Sequence, residues 1–295
     1  MSNGSRRDAS GPDITLAIST IGRDDDLAAL LDSVRRGRGD ARVEVVLADQ
    51  SAGRAASERL KAVATPGIDV RYTTSPLGVS RGRNAALALA RGRIVAFPDD
   101  NITYAPDALA TVLALLEARP TLAAVTGRQV TADGRDSMLR WLRHPTPLTR
   151  DNWTRTAIAS TMFIRRDVLD VVGGFAEDIG TGSGGYVGAG EESDLLLRIL
   201  QAGGEIAYDP SIRVVQPDPA DEPDPSYVRK MRLYGRGQGY LVRRHRLSIP
   251  ALLALMGRKL LAVPIMLALR RTVRAKSQAS FVVGIVEGWR YGGRP

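Results

Sequence analysis

Through the first two thirds of the chain, short β-type runs alternate with helical patterns, and that alternation restricts the fold more than any other feature. "ITLAIST" (14–20), "VEVVLAD" (43–49), "DVRYTT" (69–74) and "RIVAFPD" (93–99) have the β-branched content and length of strands. Residues 25–36, 57–64 and 83–92 read as helices between them. The first opens on acids and closes on arginines and Gly37, in keeping with the helix dipole and the C-terminal glycine preference. Such a pattern predicts a mostly parallel sheet covered by helices, with ligand-binding loops at the carboxyl ends of the strands. Further on, 106–120 reads as a helix between two prolines, and 122–130, 159–166 and 205–210 as strands. The polar, Trp-bearing stretch 133–156 reads as a long loop.

Cysteine is absent and only His144 and His245 are present, which excludes disulfides, thiolate chemistry and multi-histidine metal sites. Any metal would rest on oxygen ligands and would be a hard cation such as Mg2+ or Mn2+. The net charge of +9 is unevenly spread: residues 226–295 hold 15 Lys and Arg against one acid, Glu287, which leaves about −5 on the rest. The polar start, 1–12, reads as a disordered tail without a secretory signal, so a cytoplasmic location is expected. The acidic, Pro-rich "PDPADEPDP" (217–225) is the expected link between a body at 13–216 and a basic helical region at 226–295. Arginines interleaved with Leu, Ile and Met there fit a segment lying peripherally on an anionic membrane surface. Arg258 and Lys259 interrupt the apolar run, so a spanning helix is not expected.

Carboxylates gather at three stations. Asp49 closes "VVLADQS", Asp99 and Asp100 with Asn101 close "IVAFPDDN", and Glu191, Glu192 and Asp194 follow the Gly-rich "GTGSGGYVGAG" in "GEESDLLLRIL". A buried ionised carboxylate needs a cation or hydrogen bonds. Each station alone reads equally as a turn or as acids favoured at a helix N-terminus. In a parallel sheet, however, the first two must face the same edge and can share one ligand.

Taken in order, these stretches resemble the family 2 glycosyltransferases of the GT-A fold over about residues 13–216. "ITLAISTIGR", "VEVVLADQS", "SPLGVSRGRNAALALARGRIVAFPDDN", "GGFAEDIG" and "GEESDLLLRIL" carry the resemblance together. It implies an α/β GT-A fold, Rossmann-like with a mostly parallel sheet flanked by helices, followed here by the basic helical extension. It also implies a nucleotide-sugar donor, foremost a UDP-sugar, with Mn2+ or Mg2+. One sugar would be transferred with inversion to a hydroxyl of a glycan or lipid-linked acceptor in surface or cell-wall polysaccharide synthesis.

By that resemblance Glu192 is the general base, with Glu191 as the alternative. Asp49 would bond the ring N–H of the base with Thr20 nearby, Arg83 would lie near the donor phosphates, and Asp99 and Asp100 would meet ribose and metal. Asp100, Asn101 and Gln216 are the implied metal ligands, and Asp194 is assigned to orienting the helix start. Asn101 stands where Asp is usual and Gln216 where His is frequent, so weaker metal binding is expected, since amide oxygens still coordinate hard cations. The same departures suggest an alternative, a catalytically degenerate GT-A scaffold. A nucleic-acid binder is the other alternative, motivated by the basic end but poor in the aromatics that stack on bases, so no nucleic acid is expected. "GRGQG" (235–239) and "GTGSGG" (180–185) do not follow a first strand and are weak as dinucleotide motifs. The former resembles a Tyr-Gly-Arg-Gly element of some such transferases, expected on a helix near acceptor or membrane.

Overall fold

The computed structural model describes residues 11–51, 58, 63–217 and 224–293. The helix expected at 57–64, most of the tail at 1–12 and most of the link at 217–225 lie outside the described residues. β1 (Ile14–Thr20), β2 (Val43–Asp49) and β3 (Asp69–Thr74) keep their expected bounds and pair in parallel. β4 is only Ile94–Ala96, parallel to β1; Pro98 has no N–H to extend a ladder. β5 (Thr103–Tyr104), β6 (Leu122–Val130), β7 (Thr146–Pro147), β8 (Met162–Arg165) and β9 (Glu205–Val215) complete one sheet. Its order is β3-β2-β1-β4-β8-β6-β9-β5, with β7 on β9. The sheet is mixed, because β8 lies antiparallel between β4 and β6. β9 runs on past Pro210, accommodated by a register shift against β6 between Thr126 and Arg128.

Among the described residues, the helices that cover the sheet are α1 (Asp24–Gly37), α2 (Val79–Leu87), α3 (Ala108–Ala118), α4 (Arg166–Val172) and α5 (Glu191–Gln201). Strand alternation divides the core between two faces. Leu16 and Ile18 of β1 join Leu27 and Leu31 of α1 and Leu109 of α3, whereas Ala17 joins Ala86, Leu169 and Leu195 on the side of α2, α4 and α5. α2 begins at Val79, not at residue 83. Gly78, at φ 130°, makes a turn that L-residues avoid and starts the helix early. Arg83 is thereby carried into the helix middle, facing the protein interior. The stretch 133–156 is a packed insert: Trp141 and Trp153 are buried, and Trp141 stacks on Tyr208 with ring centroids 6.2 Å apart.

The basic region forms α6 (Ser226–Arg244), α7 (Ile249–Ala268) and α8 (Thr272–Tyr291). Tyr240, Leu241, Leu252 and Ile285 join the apolar cluster of the sheet, so these helices and the body share a core. "GRGQG" lies inside α6 and serves close packing. A β-carbon on Gly235 would collide with the Phe281 carbonyl, one on Gly239 with the Ile285 carbonyl, and one on Gly284 of α8 with the Arg232 carbonyl. Glu287, the one acid of this region, bridges Arg232 and Arg236 of α6, and these hydrogen bonds hold its carboxyl down at about 2. Gly235→Ala is expected to lower stability by about 1–3 kcal/mol through overpacking. Thermal melting checks this, and an unchanged midpoint would show that α6 and α8 can separate freely.

α7 runs unbroken through Arg258, Lys259 and Pro264. Over 20 residues, at mean hydropathy 1.8 and 6% buried, it is long and apolar enough to cross a membrane by length and composition. Arg258 and Lys259 interrupt the apolar run in composition, but the helix continues through both. Leu253, Leu260, Leu261, Ile265 and Leu267 of α7 are all at least half exposed.

Candidate active site

Three strand ends converge at one edge of the sheet. Thr20 ends β1, Asp49 ends β2 beside it, and Asp99 follows β4 with a parallel bridge to Ser19. Asp49 is buried, and hydrogen bonds compensate its lost hydration: Oδ1 accepts from the Ser51 N–H at 2.8 Å and the Ser51 hydroxyl at 2.6 Å, and Oδ2 accepts from the Tyr72 hydroxyl at 3.2 Å.

The paired acids diverge. Asp100 turns toward β1, where Oδ2 accepts from the Thr20 hydroxyl at 2.7 Å and Oδ1 from Arg23 at 3.1 Å. Burial raises its pKa against the pull of Thr20 and Arg23. Asp99 turns instead toward α2, its side chain 45% exposed, and Oδ1 accepts from Arg83 Nη2 at 2.9 Å. Asp99 is therefore the carboxylate open to a ligand. Arg83 was expected beside donor phosphates, but its side chain is 4% exposed and its other terminal nitrogen donates to Glu191 Oε1 at 2.9 Å. Burial disfavours its charge, yet Asp99, Glu191 and Glu192 outweigh that and raise its pKa. One guanidinium thus ties the second acidic station to the third.

The third station is the first turn of α5. Gly190, at φ 100°, precedes it, and Glu191, Glu192 and Asp194 occupy the end where the helix dipole favours negative charge. Glu191 is buried on Arg83, whereas Glu192 is half-buried. Burial, and after it the charge of Glu191, pushes the Glu192 carboxyl up to about 8. Asp194 is fully buried and faces away from the cleft. Oδ1 accepts from His245 Nε2 at 2.9 Å and Oδ2 from Arg198 at 2.8 Å, while Gln201 Nε2 donates to His245 Nδ1 at 3.0 Å. His245 follows α6, so Asp194 clamps α6 to α5. This clamp stands in place of the expected role at the helix start, where its carboxylate makes no capping hydrogen bond.

α6 also supplies a wall that motif reading did not assign. Leu233 lies against Gly188, and Gly237 passes so near Ala189 that a β-carbon would strike its carbonyl. Between them, burial and then the charges of Glu192, Glu191 and Asp99 raise the Tyr234 phenol. Tyr234 therefore shares the cleft with the acids. Its signal in the sequence is only the Tyr-Gly-Arg-Gly element, and Arg23 has no signal beyond the loop after β1.

Among the described residues, no three His, Asp or Glu side chains converge to hold a metal ion. The oxygens present nonetheless fit a hard cation. The antiparallel register Thr103↔Val215 brings Gln216 alongside residues 101–102. Gln129 Nε2 donates to Gln216 Oε1 at 3.0 Å, and Gln129 Oε1 is buried there without a partner. Asp99, Asp100, Asn101 and Gln216 thus bring side-chain oxygens to this edge; Asp99 Oδ1, Gln216 Oε1 and both Asp100 oxygens already accept one hydrogen bond each.

The family model for glycosyl transferase family 2 matches residues 15–173, more than half of the chain and all of the first two stations. The chain belongs to that family. It is a glycosyltransferase. Succinoglycan biosynthesis protein ExoM of Rhizobium meliloti (strain 1021) is 30% identical over 202 residues, which is 65% of this chain and 62% of that protein, so the match spans less than two thirds of the relative's length. Mannosyltransferase PcManGT from Pyrobaculum calidifontis, solved in complex with GDP-Man and Mn2+, superposes with a TM-score of 0.66 at 20% identity, over 94% of this chain and 87% of that one. S. aureus TarS superposes at 0.54 and 16% identity, over 75% of this chain and 39% of its own. At these identities the solved structures show the fold: α/β of the GT-A type, with the C-terminal helices of this enzyme included in the first superposition.

Proposed function

We propose that the enzyme transfers a sugar, with inversion, from a nucleotide-diphosphate sugar to a hydroxyl of a glycan or lipid-linked acceptor in surface or cell-wall polysaccharide synthesis, with UDP-sugars as the first donors to test. The observation that carries this is the Asp99–Arg83–Glu191 bridge, which sets the donor-side strand ends against the acids of α5. Asp49 and Thr20 are proposed beside the nucleotide base and Asp99 toward the ribose and diphosphate. Asp100 holds Thr20 and Arg23 in place. Glu192 takes the acceptor hydroxyl proton while that oxygen bonds the anomeric carbon and the bond from this carbon to the diphosphate breaks. Asp100 or Asp99, with Asn101 and Gln216, would hold Mn2+ or Mg2+, which when bound supplies neutralisation of the leaving diphosphate. The relative named for succinoglycan biosynthesis supports the polysaccharide assignment.

Calorimetric titration with UDP, GDP and TDP, with and without manganese, tests the donor site. Manganese-dependent binding of one nucleotide is expected, and Asn101→Asp should tighten the manganese requirement by restoring a negative ligand. No binding of any of the three would overturn the reading. The pH profile tests the base. Glu192 must be ionised to accept a proton, and its environment keeps it protonated below about 8. kcat/KM is therefore expected to rise with pH and reach half its plateau near that value, since this parameter reports the free enzyme. A flat profile from pH 6 to 9 would remove Glu192 from the role (an assay window of roughly these limits brackets the shifted carboxyl).

The enzyme is also proposed to lie peripherally on the inner face of the cell membrane. Arg258 and Lys259 stand at the middle of α7, where a spanning helix would hold them at the bilayer centre at a cost of about 2.5–3.5 kcal/mol each. An interfacial orientation avoids that cost and places the exposed leucines in the acyl boundary and the arginines among anionic headgroups. Co-sedimentation with anionic vesicles checks this.

A further inference from the structure

Between the N-terminal half of α7 and the C-terminal end of α8 runs a groove of about 310 Å³. Leu252, Leu253 and Met256 of α7 and Ile285, Val286 and Trp289 of α8 line it, and Arg290 is its one charged lining residue. Leu252 and Ile285 form a buried floor, while Leu253 and Val286 are 59% and 37% exposed and leave the groove open along its length. Its size is at the lower end for small-molecule sites and equals roughly ten water-sized units, room for one hydrocarbon chain. Farther along the same helix α7, Leu260, Leu261 and Ile265 are also exposed.

The charges around the groove select the head of such a ligand. Among the described residues Arg290 has no carboxylate partner, and Glu287, the one acid of the C-terminal region, is already held by Arg232 and Arg236. Arg243 lies 5.1 Å from the Trp289 ring centroid, which adds a second cation beside the groove. An anion is therefore attracted to the Arg290 end, and an uncharged apolar chain to the rest.

We propose that this groove binds one hydrocarbon chain bearing a phosphate, the lipid part of the acceptor, with the chain between α7 and α8 and the phosphate at Arg290. The inference rests on the reading that the acceptor is lipid-linked and deepens it by placing the lipid. Because Asp194, His245 and the close approach of α6 to residues 188–190 fix these helices relative to α5, a chain held here is tethered to the enzyme's acceptor side.

The test uses the full chain and dodecyl phosphate below its micelle concentration, followed by tryptophan fluorescence. A bromine-tagged dodecyl phosphate should quench Trp289, and Trp289→Phe should remove that quenching, whereas inorganic phosphate alone should give no change. Leu253→Asp, at an exposed position, is expected to weaken binding at least about tenfold by placing a charge in the chain's path. Arg290→Ala should abolish the preference for dodecyl phosphate over an uncharged dodecyl glycoside. Equal binding by Leu253→Asp and the parent, or quenching that persists in Trp289→Phe, would overturn the proposal. Anionic-vesicle sedimentation separates the two readings. Sedimentation without Trp289 quenching leaves membrane attachment standing and removes the groove, whereas quenching without sedimentation keeps the groove and removes membrane attachment.

Discussion

Glu192→Gln is expected to reduce sugar transfer by about 10³-fold while leaving donor binding unchanged. General-base catalysis contributes about 10²–10⁴-fold, so that loss corresponds to about 4 kcal/mol of barrier. The amide preserves shape and hydrogen-bonding capacity but cannot accept the acceptor proton. It also removes the charge that Glu191 and the protein interior disfavour, so folding should not suffer. kcat measured with saturating donor and acceptor, alongside calorimetric donor affinity, separates a base from a donor ligand. Near-normal turnover would exclude Glu192, and loss of donor affinity with intact kcat would move it to the donor side. Glu191→Gln is the necessary contrast: Glu191 is bonded to Arg83, so its loss should disturb stability and donor affinity together.

The strands that place the donor edge were legible in the sequence because parallel strands covered on both faces are continuous apolar runs. β2 is buried along its whole length, and its bounds follow directly from "VEVVLAD". Parallel pairing also put Asp49 and Asp99 on one edge without any coordinates. What could not be read is where adjacent side chains point. Asp99 and Asp100 leave the chain in different directions, one to Arg83 and one to Thr20 and Arg23, and nothing in "PDDN" distinguishes them. The start of α2 was missed for a related reason. Gly78 offers no capping side chain, so the helix announces itself only from the better formers after Arg83. That error mattered, because an arginine near a helix start looks exposed and one in the middle can be buried. The antiparallel β8 and the α6 wall depend on contacts between distant segments, which local periodicity does not encode.

Arg83→Met is expected to lower stability by about 3 kcal/mol and to suppress transfer. The methionine fills the apolar part of the space but leaves Glu191, whose side chain is 9% exposed, as a charge without its partner. Breaking a buried ion pair in this way typically costs about 3–5 kcal/mol. The lower figure applies because the other partner, Asp99, is 45% exposed and regains water, so its pairing contributes little. If desolvation of Glu191 is the cause, neutralising it should repair the fold: Arg83→Met combined with Glu191→Gln should recover more than half of the lost stability. Transfer should stay low in the double variant, because neither residue then links Asp99 to the first turn of α5. Urea denaturation of the parent, both single variants and the double variant completes the cycle. Additive losses would show that Arg83 and Glu191 act independently, and the bridge would then have to be abandoned as the element that sets donor against base. Arg83→Lys sharpens the outcome further, since an ammonium keeps the charge but lacks the planar fork needed to reach two carboxylates at once. It should retain most of the stability, through Glu191, and lose the coupling to Asp99, which would appear as weakened donor binding without a stability defect of comparable size.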